Sequence, residues 1–135
     1  MFDLDPRLAQ DTFPVGDFPL CRLLMMNDAS YPWFILVPRR AGVREIYQLE
    51  QRDQQQLLKE SSQLSEALHR LFQADKLNIA ALGNQVRQLH VHVVARFEHD
   101  AAWPRPVWGM ATAHPYSPEQ LVQRIERLQS LLARI

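Results

Sequence analysis

The chain has 135 residues, 47% of them apolar and 22% charged, which is ordinary globular composition at a length suited to one core, so a single domain over residues 1–135 is expected. Fifteen Lys and Arg balance fifteen Asp and Glu, leaving no broad positive field to draw nucleic acid as a partner. The single cysteine, Cys21, excludes an internal disulfide and a multi-cysteine zinc site, and the absence of both a basic-apolar leader at Met1-Phe2-Asp3-Leu4-Asp5 and a run approaching about 18 apolar residues makes the cytoplasm the expected location, with no membrane partner.

Pro6, Pro14 and Pro19 punctuate the start of the chain, leaving room for a short helical turn around Arg7–Gln10 and an extended entry that reads as a surface strap. Leu20–Met26 and Trp33–Val37 are apolar runs too short for ordinary helices, and Asn27-Asp28-Ala29-Ser30-Tyr31-Pro32 between them is turn-rich, so a β-hairpin is expected. Cys21 falls in the first run and reads more readily as a small buried apolar residue than as a nucleophile.

Between Glu50 and Phe72, Leu57, Leu58, Leu64, Ala67, Leu68, Leu71 and Phe72 recur at three-and-four spacing, which predicts a long amphipathic helix. Asn78–Gly83 and Gln88–Arg96 read as a second hairpin about the Gly83-Asn84-Gln85 turn. The segment from His99 to Pro118 is rich in proline and carries Trp103 and Trp108, so it must be an ordered loop or tail. Ser117-Pro118-Glu119-Gln120 then combines an N-cap, a first-turn proline and a capping-box glutamine ahead of Leu121, Val122, Ile125, Leu128, Leu131 and Leu132, predicting a C-terminal helix. Strands then helix, twice over, indicate an α+β fold with an antiparallel sheet covered by helices on one face.

Chemistry concentrates in Gln88-Leu89-His90-Val91-His92-Val93-Val94. Side chains alternate along a strand, so Gln88, His90, His92, Val94 and Arg96 are expected on one face, with the two imidazoles near enough to act on one ligand. Taken alone, His-x-His also suits a polar, half-exposed sheet face, or the spacing of zinc or iron ligands completed by Glu98, His99 or Asp100. There is no Gly-x-Gly-x-x-Gly or Gly-x-x-x-x-Gly-Lys-Ser/Thr, and with four glycines in all phosphate binding must come from the histidine segment. His69, His99 and His114 lie outside the motif and read as surface residues. Arg96 at the strand end reads as a solvated charge before a contact to a distal phosphate.

This segment resembles the signature of the histidine-triad (HIT) nucleotide hydrolases and transferases, His-φ-His-φ-His-φ-φ with φ apolar, at every position but the first, where Gln88 stands for histidine. The order of hairpin ending in Ile35-Leu36-Val37-Pro38, long helix, Asn78 strand and motif strand is also similar to the family's, so the resemblance covers most of the chain. Trp103-Pro104-Arg105-Pro106-Val107-Trp108-Gly109 and the Asn27-Asp28 turn look like a bacterial group related to diadenosine tetraphosphate hydrolases. The resemblance implies a HIT-like antiparallel sheet of about five strands, with a long helix and a C-terminal helix, that pairs into a homodimer. It implies a nucleoside phosphate, a dinucleoside polyphosphate in particular, as substrate. It implies His90 as the nucleophile that forms a nucleotidyl-histidine, and His92 as the group that gives a hydrogen bond or proton to the leaving group. Gln88 would keep a positioning role without proton transfer, or its presence would mark a non-catalytic nucleotide-binding or sensing protein. Asn84 and Gln85 are candidate phosphate donors, Asn27 and Asp28 candidate ribose contacts, and Asn78 a further pocket residue, although the first four suit ordinary turns equally well. No tightly bound cofactor or structural metal is expected; Mg²⁺ would accompany the substrate.

Overall fold

The computed structural model describes residues 1–110 and 112–133. A short helix α1 (Pro6–Asp11) leads into β1 (Thr12–Asp17), β2 (Cys21–Met26) and β3 (Trp33–Pro38); the long helix α2 (Gln51–Phe72) is followed by β4 (Lys76–Ala80), β5 (Val91–Arg96) and the terminal helix α3 (Pro118–Leu132). The five strands form one antiparallel sheet in the order β1-β2-β3-β5-β4. This is the expected α+β architecture, with β5 carrying His92 next to the sheet centre.

Local chemistry explains the elements. The capping box at Ser117 and Gln120 starts α3 as predicted, with Ser117 Oγ accepting from the Gln120 N–H. The apolar stripe of α2 buries Leu57, Leu64, Ala67 and Leu68 against Phe34, Leu36, Val91 and Val93 on one sheet face, where Leu128 of α3 joins them. Glu60, wholly buried on α2, accepts from the backbone N–H groups of Leu20 (2.8 Å) and Cys21 (2.9 Å), so the start of β2 is tied to the helix by a satisfied buried carboxylate. Burial, and then Glu60 beside it, push the Cys21 thiol well above its ordinary value, which makes this cysteine an inert core residue.

Three expectations are corrected. The extended entry is not a strap: Thr12–Asp17 is a sheet strand paired with β2, and it tolerates Pro14 because β1 lies at the sheet edge. The second hairpin is not joined by a tight turn. β4 ends at Ala80 and β5 begins at Val91, because the Leu89 N–H donates to Val43 O at 3.0 Å and draws residues 88–90 out of the ladder. Gln88 and His90 therefore precede the strand. Arg96 is neither solvated nor free to meet a phosphate.

Arg96 is 1% exposed. Its guanidinium donates to both carboxylate oxygens of Asp100 (2.8 and 3.0 Å), to Asn78 Oδ1 (2.7 Å) and to Arg105 O (2.7 Å), and it lies over the rings of Tyr31 and Trp103. The pair pins the Pro- and Trp-containing loop 97–110 to the second sheet face, where Leu24, Ile35, Val37, Val94, Ala102 and Val107 form a second core. Burial alone would raise the Asp100 carboxyl, but the Arg96 hydrogen bonds and the backbone N–H groups of Phe97 and Trp103 outweigh it and hold it at about 2.

Asp100→Ala should thus cost about 3–5 kcal/mol by stranding a buried cation, read as a lowered urea midpoint at unchanged slope. Because the folded-state carboxyl is depressed, the wild-type pair should contribute fully above about pH 4 and be lost only as pH falls through about 2.

Candidate active site

The second sheet face carries a cavity of about 310 Å³. Arg7, Leu8 and Asp11 of α1 form one wall; Met26, Trp33 and His92 form its floor on the sheet; and residues 82–86, His90, Trp108 and Gly109 close the remaining sides. Gly83 sits here at φ +86°, and a Cβ on it would press to 3.3 Å from Val86 O, so this bend of the rim requires glycine.

His90 and His92 are 6% and 5% exposed, with ring centroids 5.0 Å apart. His90 Nδ1 lies 2.7 Å from the backbone carbonyl of Gln88. A carbonyl only accepts, so Nδ1 carries a proton, and in the neutral ring it is Nε2 that holds the lone pair. His92 is held the opposite way. The Trp33 indole N–H, a donor only, meets His92 Nδ1 at 2.9 Å, which leaves the proton of His92 on Nε2. Burial, and then the nearby His90, lower the His92 imidazole to about 4, so this ring is neutral at ordinary pH. Trp108 stands edge-on to His92 at 5.1 Å and to Trp33 at 5.7 Å, completing an aromatic wall.

The side chain of Gln88 faces away from the imidazoles. Its Oε1 accepts from the Asp5 N–H and its Nε2 donates to Asp3 O, each at 2.9 Å, so both ends of the amide clasp the backbone that leads into α1. Asp5 then caps α1 by accepting from the Arg7 N–H. Arg7 reaches across the rim to Gln85 Oε1 at 3.3 Å. Gln88 thus positions a wall of the site while its carbonyl, not its side chain, orients His90.

Of the sequence-predicted residues, the fold gathers His90, His92, Asn84 and Gln85 around the cavity. Asn27 and Asp28 are occupied elsewhere: Asn27 Oδ1 accepts from the Tyr116 N–H, and Asp28 Oδ1 accepts from the Ser30 and His114 N–H groups, fastening the approach to α3. Asn78 holds Arg96. Trp108 borders the site and Trp103 packs on Arg96. His69, His99 and His114 are exposed. The metal-site completion does not form: Asp100 is engaged by Arg96, Glu98 is exposed, and among the described residues no three His, Cys, Asp or Glu side chains gather around a common point. Arg7, Asp11 and Trp33 are site residues that sequence reasoning missed. Trp33 had a signal, since it shares the alternation of Ile35 and Val37 and hence the face that meets His92; the α1 residues had none.

Residues 7–99 match the family model described as HIT domain. The chain is similar over 99% of its length to a crystal structure of a histidine triad protein from Marinobacter aquaeolei VT8, at 52% identity, 98% coverage of that chain and a TM-score of 0.96. It is similar to histidine triad proteins from Bradyrhizobium japonicum (46% identity, 97% and 98% coverage, TM-score 0.95) and Sinorhizobium meliloti 1021 (45%, 96% and 96%, 0.94). No curated protein matches it.

Two outcomes are expected. Gln88→Ala should release the wall, raising amide exchange across residues 3–11 while the core of β2, β3 and β5 stays protected. The depressed His92 also makes folding pH-dependent. An unfolded histidine titrates near 6.5, so unfolding takes up a proton between that value and about 4. Stability should be complete above about pH 6.5 and fall by about 3 kcal/mol toward pH 4, and denaturant titrations of a His92→Gln variant should lack that portion of the slope.

Proposed function

Because the chain belongs to the histidine-triad domain family, we propose that it is a nucleotide hydrolase or transferase that works on dinucleoside polyphosphates or related nucleoside phosphates through a nucleotidyl-His90 intermediate. The observation that carries this reading is the 2.7 Å contact between His90 Nδ1 and the Gln88 carbonyl. It makes a neutral imidazole an oriented nucleophile, with Nε2 turned to the cavity and Nδ1–H able to shed the positive charge that develops on attack. The Nε2–H of His92 stands beside it as a donor to the bridging oxygen. The aromatic wall of Trp33 and Trp108 suits a base or ribose, while Arg7, Asn84 and Gln85 at the rim suit phosphate oxygens.

His90 forms a bond to the α-phosphorus as the bond to the bridging oxygen breaks, and the leaving phosphate takes the electron pair. Water then attacks the same phosphorus, the N–P pair returns to His90, and the water proton passes to solvent. No tightly bound cofactor enters either step, and Mg²⁺ would serve by screening the substrate's phosphates.

A second reading, non-catalytic nucleotide binding, is favoured by one observation: the Gln88 side chain is fully committed to Asp3 and Asp5 and has nothing left to give the reacting atoms. For assembly, a homodimer in a reducing cytoplasm fits the open edge of β4 and the exposed Ile46, Leu58 and Ile79 around an apolar cavity beside it. None of the described helices is long and apolar enough to cross a membrane.

Incubation with diadenosine tetraphosphate, with and without Mg²⁺, should release mononucleotides, and acid quenching should trap a nucleotidyl adduct on His90 by mass spectrometry. His90→Ala should lower turnover by at least about 1,000-fold. Binding with no product and no adduct would establish the second reading instead.

A further inference from the structure

We propose a second anion site on the opposite side of the sheet from the two histidines: a small cavity between α3 and the β2–β3 turn, where Arg124 and Arg127 hold a phosphoryl dianion. Neither arginine lines the histidine cavity, so the site stands whether or not that cavity is catalytic.

The site starts from helical periodicity. Gln120, Gln123, Arg124 and Arg127 fall at i, i+3, i+4 and i+7 of α3, which sets them on one helical face. With Tyr116 and Ala29 they line a space of about 170 Å³. Arg124 is half-buried; its guanidinium lies over the rings of Phe72 (5.1 Å) and Tyr116 (5.4 Å) and donates to the Tyr116 hydroxyl at 2.7 Å. Arg127 shares the Phe72 ring at 5.9 Å. These aromatic faces hold two planar forks in place before any ligand arrives.

Like charges one helical turn apart repel, and nothing in the cavity offsets them. Among the described residues neither guanidinium forms an ion pair. Glu119 and Glu126, the acids of α3, do not line the cavity. Asp28, on the turn that supplies Ala29, spends its Oδ1 on the Ser30 and His114 N–H groups. Gln120 gives its oxygen to the Ser117 N–H and keeps its amide N–H groups as donors. The lining is thus cationic and rich in donors.

A phosphoryl group matches it, since its oxygens accept from several directions and its double charge answers both guanidiniums. The space is smaller than the roughly 300–1,000 Å³ of cavities that enclose a whole small-molecule ligand. It therefore takes the phosphoryl group alone, as orthophosphate or as the end of a phosphomonoester whose remainder stays outside.

Titration of the whole chain with orthophosphate, followed by ¹H–¹⁵N NMR at fixed ionic strength, tests the assignment. Saturable shifts are expected at the N–H groups of Gln120, Gln123, Arg124 and Arg127, and none from chloride at the same ionic strength. Arg124→Gln and Arg127→Gln should each weaken the binding by at least about 10-fold, the worth of one charge-assisted hydrogen bond. Arg124→Lys keeps the charge but loses the fork, so a smaller loss is expected. Any shifts that phosphate causes at His90 and His92 should match the wild type in all three variants. AMP identifies the source: equal shifts at the same N–H groups assign the site to a phosphomonoester end, and shifts from orthophosphate alone assign it to the free ion. Non-saturable shifts in the wild type, equal shifts from chloride, or binding unchanged by both Arg→Gln substitutions would overturn the proposal.

Discussion

Two imidazoles face one cavity with opposite hydrogen-bonding at Nδ1, and each owes its orientation to a neighbour with a fixed hydrogen-bonding role. A backbone carbonyl can only accept, so His90 is protonated on the side away from the cavity and offers a lone pair; an indole can only donate, so His92 offers a proton-bearing nitrogen. The ring that offers a lone pair and the ring that offers an N–H are thereby distinguished without any charged partner. That economy suits the surroundings, since a carboxylate placed against these rings would have had to be desolvated among Trp33, Trp108 and the second core.

The remainder of the fold maintains this pair. β5 is flanked by β3 and β4, so His92 stands on strongly held backbone, while the release of residues 88–90 from the ladder turns the Gln88 carbonyl back onto His90. The buried Arg96–Asp100 pair at the end of the same strand fastens the loop that delivers Trp108. At the other end, the Gln88 side chain clasps the segment before α1 and sets Arg7 and Asp11 at the rim. One short stretch, residues 88–100, therefore governs the floor, the aromatic wall and the helical wall of the site.

What was legible in the sequence follows the range of each signal. The α2 stripe, the capping box at Ser117 and the His90/His92 pair are written within one or two turns or strand periods, and the structure places them accordingly. Turn-forming residues were ambiguous for a physical reason: Asn27 and Asp28 use the same carboxamide and carboxylate oxygens to cap backbone as they would to hold a ribose, and here those oxygens meet Ser30, His114 and Tyr116. Arg96 was misread because its partner sits in an irregular proline-rich loop, where no periodicity predicts that the chain will fold back over its own strand. Gln88 could be recognised as a departure from the triad, but its use as a clasp depends on backbone atoms of Asp3 and Asp5, which carry no side-chain signal at all.

That clasp joins residues 83 and 85 positions apart. As the chain emerges from the ribosome, the segment that will wall the cavity is made early and must wait, unattached at this point, until its anchor has been synthesised and β5 has paired. Long-range closure of this kind comes late and is opened readily. Access to the cavity therefore follows the state of this one clasp, which can loosen the helical wall while the strands behind it stay paired.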